Sequence, residues 1–175
     1  KFAEFNKQLG LNVVYDVIVD NPHATEEMKI ETAEFLLDLP RPYDIYFYSL
    51  NYFPGTALTR QALAEGALDP DDVEGRANKA WYQFRVSMDW PRSEEDRFYL
   101  ALFCLASKSF VPKSLIRKFL DEREYWKQNV EPIFMLAKAT NVAKMAMVAA
   151  RYFKNGELTW FKVRQYGDLS QMISQ

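Results

Sequence analysis

The sequence predicts an α/β fold in which parallel strands precede a helical C-terminal region. An apolar strand-like run, a turn and a helical pattern follow one another twice, over residues 11–40 and 44–66. Beyond residue 93 the apolar residues recur instead at the spacing typical of helices. Two strand–helix units with short connections indicate a right-handed crossover between parallel strands.

The first unit begins with the run LNVVYDVIV. Runs rich in Val and Ile with few polar residues are typical of strands buried on both faces. Thr25 is placed to cap the helix that follows, and Pro40 is placed to end it. The apolar residues of this helix share one face, which predicts its packed side: Ile30, Ala33, Leu36 and Leu37.

The second unit repeats this order. The run DIYFYSLNYF predicts a strand, and Pro54 and Gly55 break it. Thr56 is placed to cap the next helix, and Gly66 fits its end, where a left-handed residue commonly closes the last turn.

Three further segments predict helices. One spans residues 93–110 with Ser93 as its cap, one covers KSLIRKFLDEREYW, and one covers the run NVAKMAMVAARYF, which is rich in Ala and Met. Cys104 lies among apolar residues of the first of these, which predicts a buried thiol.

Composition limits the classes of function. The 175 residues carry a net charge of −2, which offers no electrostatic footprint for nucleic acid. No uninterrupted apolar run is long enough to span a membrane, and no secretory signal is recognisable. One Cys and one His cannot form a zinc site of Cys and His ligands. A lone cysteine also fits a reducing compartment, so we expect a cytoplasmic protein.

Polar residues follow both predicted strands. Ligands bind beyond the carboxyl ends of strands in parallel α/β proteins, so these residues are candidates for a binding site. The alternative is that Asn21 and Thr25 simply satisfy the backbone groups of a turn and a helix. A lone turn histidine such as His23 is more often solvated than catalytic. The candidates are Asp20, Asn21 and His23 after the first strand, and Asn51, Tyr52, Pro54 and Gly55 after the second.

The two strand ends together resemble a known family. YDVIVDNPHAT, followed one helix later by LPRPYDIYFYSLNYFPGTALTRQALAEG, resembles the second half of the radical SAM enzymes, closest to the branch with a cobalamin-binding domain. The resemblance covers roughly residues 1–70 and implies a partial (β/α) barrel there. Residues 71–175 fit a mainly helical C-terminal extension, which the resemblance does not assign. In this family a [4Fe–4S] cluster cleaves S-adenosylmethionine to a radical that abstracts hydrogen from substrate, in oxidoreductase or methyltransferase reactions.

The resemblance also implies positions for cofactor binding. The family pattern GxIxGxxE, which lies against the adenine of S-adenosylmethionine, falls by position on Asp16, Ile18, Asp20 and His23, and only Ile18 matches in type. Contacts to adenine are therefore expected from the backbone around Ile18 and Asp20. The residues expected to border the cofactor and substrate are Ile18, Asp20, Asn21, Asn51, Pro54 and Gly55, with Tyr46, Tyr48 and Ser49 as further candidates for the pocket wall.

The cluster motif of the family, CxxxCxxC, is absent from the sequence. Because such a cluster needs three thiolates, its ligands are expected in an upstream part of the same polypeptide, and this chain alone is expected to be inactive. Cobalamin would be held by a further upstream domain. No catalytic residue and no metal ligand is assigned to this chain.

Two other hypotheses stay open. The chain could be a non-catalytic helical interaction module on an α/β scaffold, or a different (β/α) barrel enzyme that binds an anion such as phosphate near Asn21 and Thr56. Parallel strands also need neighbours on both edges, so we expect an orphan edge to be covered by C-terminal segments or by a second copy.

Overall fold

The computed structural model describes residues 2–11, 13–21, 23–66 and 91–156, together with the isolated residues 69, 71, 73 and 88. Two strands are present in these ranges: β1 (Val13–Val19) and β2 (Tyr43–Ser49). Three helices accompany the strands: α1 (Phe2–Gln8), α2 (Glu26–Asp38) and α3 (Ala57–Ala64). Four more follow: α4 (Glu94–Ala106), α5 (Lys113–Asp121), α6 (Arg123–Gln128) and α7 (Glu131–Lys154).

The prediction of a partial (β/α) barrel is wrong. Within the described residues the strands form one sheet of two parallel strands, and the rest of the regular structure is helical. A barrel wall requires a sheet of many strands that closes on itself, and two strands enclose no interior. The parallel direction of the strands agrees with the prediction, whereas the architecture is mostly helical.

The chain divides into two compact units. The first contains residues 1–15, 23–45 and 87–175, and the second contains residues 16–22 and 46–86. The first half of each strand belongs to the first unit and the second half belongs to the second unit. The division at residue 70 stays a prediction.

Helix α4 is the centre of the first unit. No residue from Phe98 to Ala106 is more than 5% exposed, so this helix is buried on all sides over its last nine residues. Helices α2, α5, α6 and α7 all pack against it. A helix that is apolar all round is expected in this position. Cys104 is 4% exposed, which confirms the predicted buried thiol.

The segment before β2 binds the C-terminal end of α4. The Nε of Arg41 donates to the carbonyl oxygen of Ala106 at 2.8 Å, and the hydroxyl of Tyr43 lies 3.0 Å from the same oxygen. A second guanidinium nitrogen of Arg41 donates to the carbonyl oxygen of Val111 at 2.5 Å. The last carbonyl groups of a helix lack partners within it and carry partial negative charge, so a cation is stabilising there.

The carboxylate of Glu26 joins α2 to α4 and α6. It accepts a hydrogen bond from the buried hydroxyl of Tyr99 at 2.9 Å and another from the ammonium of Lys127 at 2.7 Å. Arg123 approaches the same oxygen at 3.7 Å. The hydrogen bond from Lys127 is the main reason that the pKa of Glu26 lies below its usual value.

Replacing this carboxylate should cost stability in a pH-dependent way. Because the folded-state pKa is lowered, the contribution is complete above the unfolded value of 4.5 and is lost as the pH falls through the folded value. We expect Glu26→Gln to lower the free energy of unfolding by about 1–2 kcal/mol at neutral pH. The difference from the wild type should shrink below the unfolded pKa.

Urea unfolding at a series of pH values measures this difference. Glu34→Gln on the exposed side of α2 is the control, and it should leave the stability unchanged. A wild type and a Glu26→Gln variant whose stabilities differ equally at neutral and at strongly acidic pH would contradict the assignment.

The three predicted caps are confirmed. The hydroxyl oxygens of Thr25, Thr56 and Ser93 each accept a hydrogen bond from a backbone N–H in the first turn of α2, α3 and α4. The predicted packed face of α2 is largely confirmed, since Ala33, Leu36 and Leu37 are buried. Gly66 has a φ of +69° just after α3, as predicted for the end of that helix.

Candidate functional site

The candidate site lies at the carboxyl ends of β1 and β2. The backbone N–H of Leu50 donates to the carbonyl oxygen of Val19 at 2.9 Å, directly beyond the two strands. In a parallel ladder this bond sets residue 20 beside residue 50. The six residues predicted to bind a cofactor all belong to the second unit: Ile18, Asp20, Asn21, Asn51, Pro54 and Gly55. Their role in binding stays a prediction.

The end of β1 is marked by an unusual backbone conformation. Asp20 has a φ of +58°, which is the left-handed region that only Gly, Asn and Asp adopt readily. Its side chain is half-buried, whereas that of Asn21 is exposed. Residues in this region concentrate at functional sites, and here the conformation redirects the chain at the edge where the two strands end.

Substitutions at Asp20 should separate the backbone requirement from the carboxylate. Asp20→Asn and Asp20→Val both remove the charge, but only Val is poorly suited to positive φ. We therefore expect Asp20→Val to be less stable than Asp20→Asn by about 1–2 kcal/mol in urea unfolding. Equal stability of the two variants would show that residue 20 does not need the left-handed conformation.

The end of β2 continues into a tight turn formed by residues 53–56. Pro54 and Gly55 occupy its centre, and Gly55 has a φ of +81°. The turn is closed by the N–H of Thr56, which lies 3.3 Å from the carbonyl oxygen of Phe53. Pro followed by Gly at positive φ is the sequence preference of a type II turn, so these two residues have a structural reason for their positions.

Two threonines hold this turn against α3. The hydroxyl of Thr59, which is 2% exposed, donates to the carbonyl oxygen of Phe53 at 2.6 Å. The hydroxyl oxygen of Thr56 accepts from the N–H of Thr59 at 3.2 Å. The predicted anion site near Thr56 gains no support from these bonds, because this hydroxyl is engaged in capping. Thr59 was not singled out from the sequence, although its spacing of three from Thr56 places both on one helix face.

Arg60 is a second residue of this turn that no sequence pattern singles out. A guanidinium nitrogen of its exposed side chain donates to the carbonyl oxygen of Gly55 at 2.7 Å. The turn therefore carries a positive charge at its exposed Gly55 carbonyl. The only sequence signal for this hydrogen bond is the spacing: Arg60 follows Gly55 by five residues, in a helix that starts at the turn.

An apolar and aromatic surface lies beside the two strand ends. Alternate residues of a strand point to opposite faces, and the pairing of residue 20 with residue 50 sets Ile18 beside Tyr48 on one face. Ile18 is 63% exposed and Tyr46, two residues before Tyr48, is 41% exposed. Exposed apolar and aromatic side chains suit packing against the ring of a planar ligand, and the exposed Asp16 lies on the same face, two residues before Ile18.

The described residues contain no group of three or more His, Cys, Asp or Glu side chains that could hold a metal ion. Cys104 belongs to the first unit, where its thiol donates to the side-chain oxygen of Asn141 at 3.3 Å. Burial raises the pKa of this thiol, which disfavours the thiolate that a metal requires. His23 is exposed and belongs to the first unit, and its role stays a prediction.

No family model, no curated protein and no solved structure matches this chain. The resemblance to radical SAM enzymes therefore stays a prediction that rests on the motifs themselves. The candidate functional region of this chain is therefore where its two parallel strands end. Asp20 has a left-handed backbone conformation there, Pro54 and Gly55 form a tight turn, and Ile18 and Tyr46 are exposed.

Proposed function

We propose that this chain is the C-terminal segment of a radical SAM enzyme of the cobalamin-binding branch, and that its two strand ends wall the pocket for S-adenosylmethionine and substrate. One observation supports the proposal above the others. The DNP motif after β1 and the FPGT motif after β2, which carry the resemblance, follow parallel strands whose ends are joined by the hydrogen bond between Leu50 and Val19.

Each strand end has its own role in this proposal. The backbone around Ile18 and Asp20 contacts the adenine, since backbone groups can bind a base where the family's glycines are replaced by Asp. The exposed side chain of Ile18 packs on the flat ring. Asn51, Pro54 and Gly55 border the substrate, and the neighbouring apolar surface excludes water from the reacting atoms.

The cluster of such an enzyme does not fit the residues of this chain. Three thiolates are required, and the sequence has one cysteine, which is buried beside Asn141. The cluster, and any cobalamin, would therefore be held by other parts of the parent polypeptide. Bound S-adenosylmethionine supplies the radical chemistry, while the residues described here bind, orient and shield.

The parent polypeptide provides the direct test. It should be expressed without oxygen and reconstituted with iron and sulfide, and we expect the absorbance of an iron–sulfur cluster together with cleavage of S-adenosylmethionine. The 175-residue chain treated in the same way should bind no cluster. A parent with neither a cluster nor cleavage would rule the proposal out.

A pair of variants in the parent tests the part played by this chain. Ile18→Asp places a carboxylate on the proposed adenine surface and should weaken binding of S-adenosylmethionine by about tenfold or more, since each 1.4 kcal/mol is tenfold. Leu115→Asp makes the same kind of change at an exposed residue of α5, and it should leave binding unchanged. If the two variants bound S-adenosylmethionine equally well, β1 would not be part of the cofactor pocket, even if the parent cleaves S-adenosylmethionine.

A further inference from the structure

A pocket of the first unit lies where α6 ends and α7 begins. Its volume is about 480 Å³, which falls within the range of about 300–1,000 Å³ that small-molecule sites occupy. Helices α4, α6 and α7 all contribute to its walls. Two aromatic and two acidic side chains give these walls their chemistry: Tyr125 and Trp126 in α6, Glu94 at the start of α4 and Glu131 at the start of α7.

The two rings meet edge-on and leave aromatic surface open. The ring centroids of Tyr125 and Trp126 lie 5.0 Å apart, and the ring planes are inclined by 81°. In such a pair Trp126 covers at most one face of the Tyr125 ring, and Tyr125 is 60% exposed. A face of this ring is therefore open. The face of an aromatic ring is its negative side and attracts cations.

The two carboxylates are held in place by Arg97. One guanidinium nitrogen of Arg97 donates to Glu94 at 3.0 Å and another donates to Glu131 at 2.6 Å. The guanidinium also lies over the ring of Phe134, 4.5 Å from its centroid, and Arg97 is not among the residues that line the pocket. The two acids and Arg97 together carry one net negative charge. Both carboxylates are more than half exposed, so a ligand can reach them.

We propose that this pocket binds a quaternary ammonium group, with its methyl groups against Tyr125 and Trp126 and its charge near Glu94 and Glu131. Aromatic rings are the usual partners of such groups, which need no hydrogen bond. No Lys, Arg or His side chain is among the described residues that line the pocket, and the acids would repel an anion. Hard metal ions take six or more oxygen ligands, which these walls do not supply. The inference uses none of the strand-end residues, so it does not depend on the function proposed above.

Two probes of the same shape test whether the charge matters. Choline and its neutral isostere, in which carbon replaces the quaternary nitrogen, are titrated into the 175-residue chain, and the amide resonances of residues 125–131 are followed by NMR. Choline should shift these resonances, and the neutral isostere should bind about fivefold or more weakly. Sodium chloride at the same concentration should leave them in place. Equal binding of the two probes, or shifts confined to other residues, would overturn the proposal.

A peptide that carries one trimethyl-lysine separates the two sources of this group. Tighter binding of the peptide than of choline would indicate a protein partner, and equal or weaker binding would indicate a free solute. Either result supports a quaternary ammonium site. The corresponding peptide with unmodified lysine is the control, and it should bind more weakly because its ammonium is more strongly hydrated.

Paired variants test the ring and the carboxylate separately. Tyr125→Phe keeps the ring and should bind choline as the wild type does, whereas Tyr125→Leu should weaken binding by about two- to fivefold. Glu131→Gln should weaken it by about two- to threefold. Glu124→Gln is the matched control, since Glu124 is an exposed acid of α6 outside the pocket walls. Equal affinities of the two Tyr125 variants, or equal losses from the two Gln variants, would contradict the assignment.

Discussion

Phe98→Ala is expected to lower the free energy of unfolding by about 3–5 kcal/mol, the range for large-to-small changes at buried aromatic residues. Phe98 is 0% exposed and lies at the point where α4 becomes buried on all sides. Its ring meets that of Tyr99 edge-on, with centroids 5.1 Å apart. Because α2, α5, α6 and α7 all pack on α4, a cavity there loosens the whole helical core of the first unit.

Phe153→Ala is the matched control, since Phe153 is 75% exposed near the end of α7. Its effect should stay within about 0.5 kcal/mol, as for most surface substitutions. Urea unfolding followed by far-ultraviolet circular dichroism measures both variants. Similar losses from the two substitutions would show that α4 is not the centre of the core.

Tyr43→Ala should have an effect of similar size, about 3–5 kcal/mol. Tyr43 is 2% exposed at the start of β2, and its ring meets that of Tyr15 edge-on at 5.6 Å. Its hydroxyl lies 2.5 Å from the carbonyl oxygen of Leu36 and 3.0 Å from that of Ala106. Tyr43→Phe keeps the packing and loses only these hydrogen bonds, so it should cost about 1 kcal/mol.

The hydroxyl of Tyr43 also predicts a loss of stability in alkali. Burial raises its pKa from 10.0 to about 12, so the folded state keeps the proton over a range in which the unfolded chain releases it. This contribution is complete below pH 10.0 and is lost as the pH rises toward about 12. Tyr43→Phe should reduce the alkaline loss, and the part that remains is expected from Tyr99, whose pKa is also raised by burial. If the stability of Tyr43→Phe fell with rising pH as steeply as that of the wild type, the hydroxyl of Tyr43 would be exposed to water rather than buried.

Local signals in the sequence predicted the local structure well. Thr25, Thr56 and Ser93 cap helices where the pattern of a hydroxyl before an apolar stripe placed them. The strand-like runs formed strands because β-branched and aromatic residues dominate both. These features depend on a few adjacent residues, which is why a single sequence is sufficient to predict them.

Helix boundaries that depend on packing were less predictable. The segment predicted as one helix over residues 113–126 is divided into two helices at Glu122. No Gly or Pro occurs in this segment to predict the break. The break lets the ring of Trp126 meet that of Phe119 edge-on at 5.1 Å. Helix α7 begins at Glu131, ten residues before the predicted start, and Pro132 in its first turn was the signal that could have extended it.

The barrel was the largest error, and it had a different cause. A strand–turn–helix pattern defines each unit but carries no information on how many strands join the sheet. For the candidate site, the residues after each strand were proposed from their position alone, and their role stays a prediction. The left-handed conformation of Asp20 and the hydrogen bond from Thr59 to Phe53 depend on the folded backbone, so no pattern in the sequence predicted them.

The bonds to Ala106 have a consequence for the order of events during synthesis. Tyr43 and Arg41 are separated from this carbonyl by 63 and 65 residues of chain. At about 5–20 residues per second, the ribosome adds the intervening residues in roughly 3–13 s. Throughout that interval α2 and the start of β2 have been made but α4 is not complete. The nascent chain therefore passes through a period in which Leu36 and Leu37 lack the helix that later covers them, and a chaperone has its opportunity to bind then.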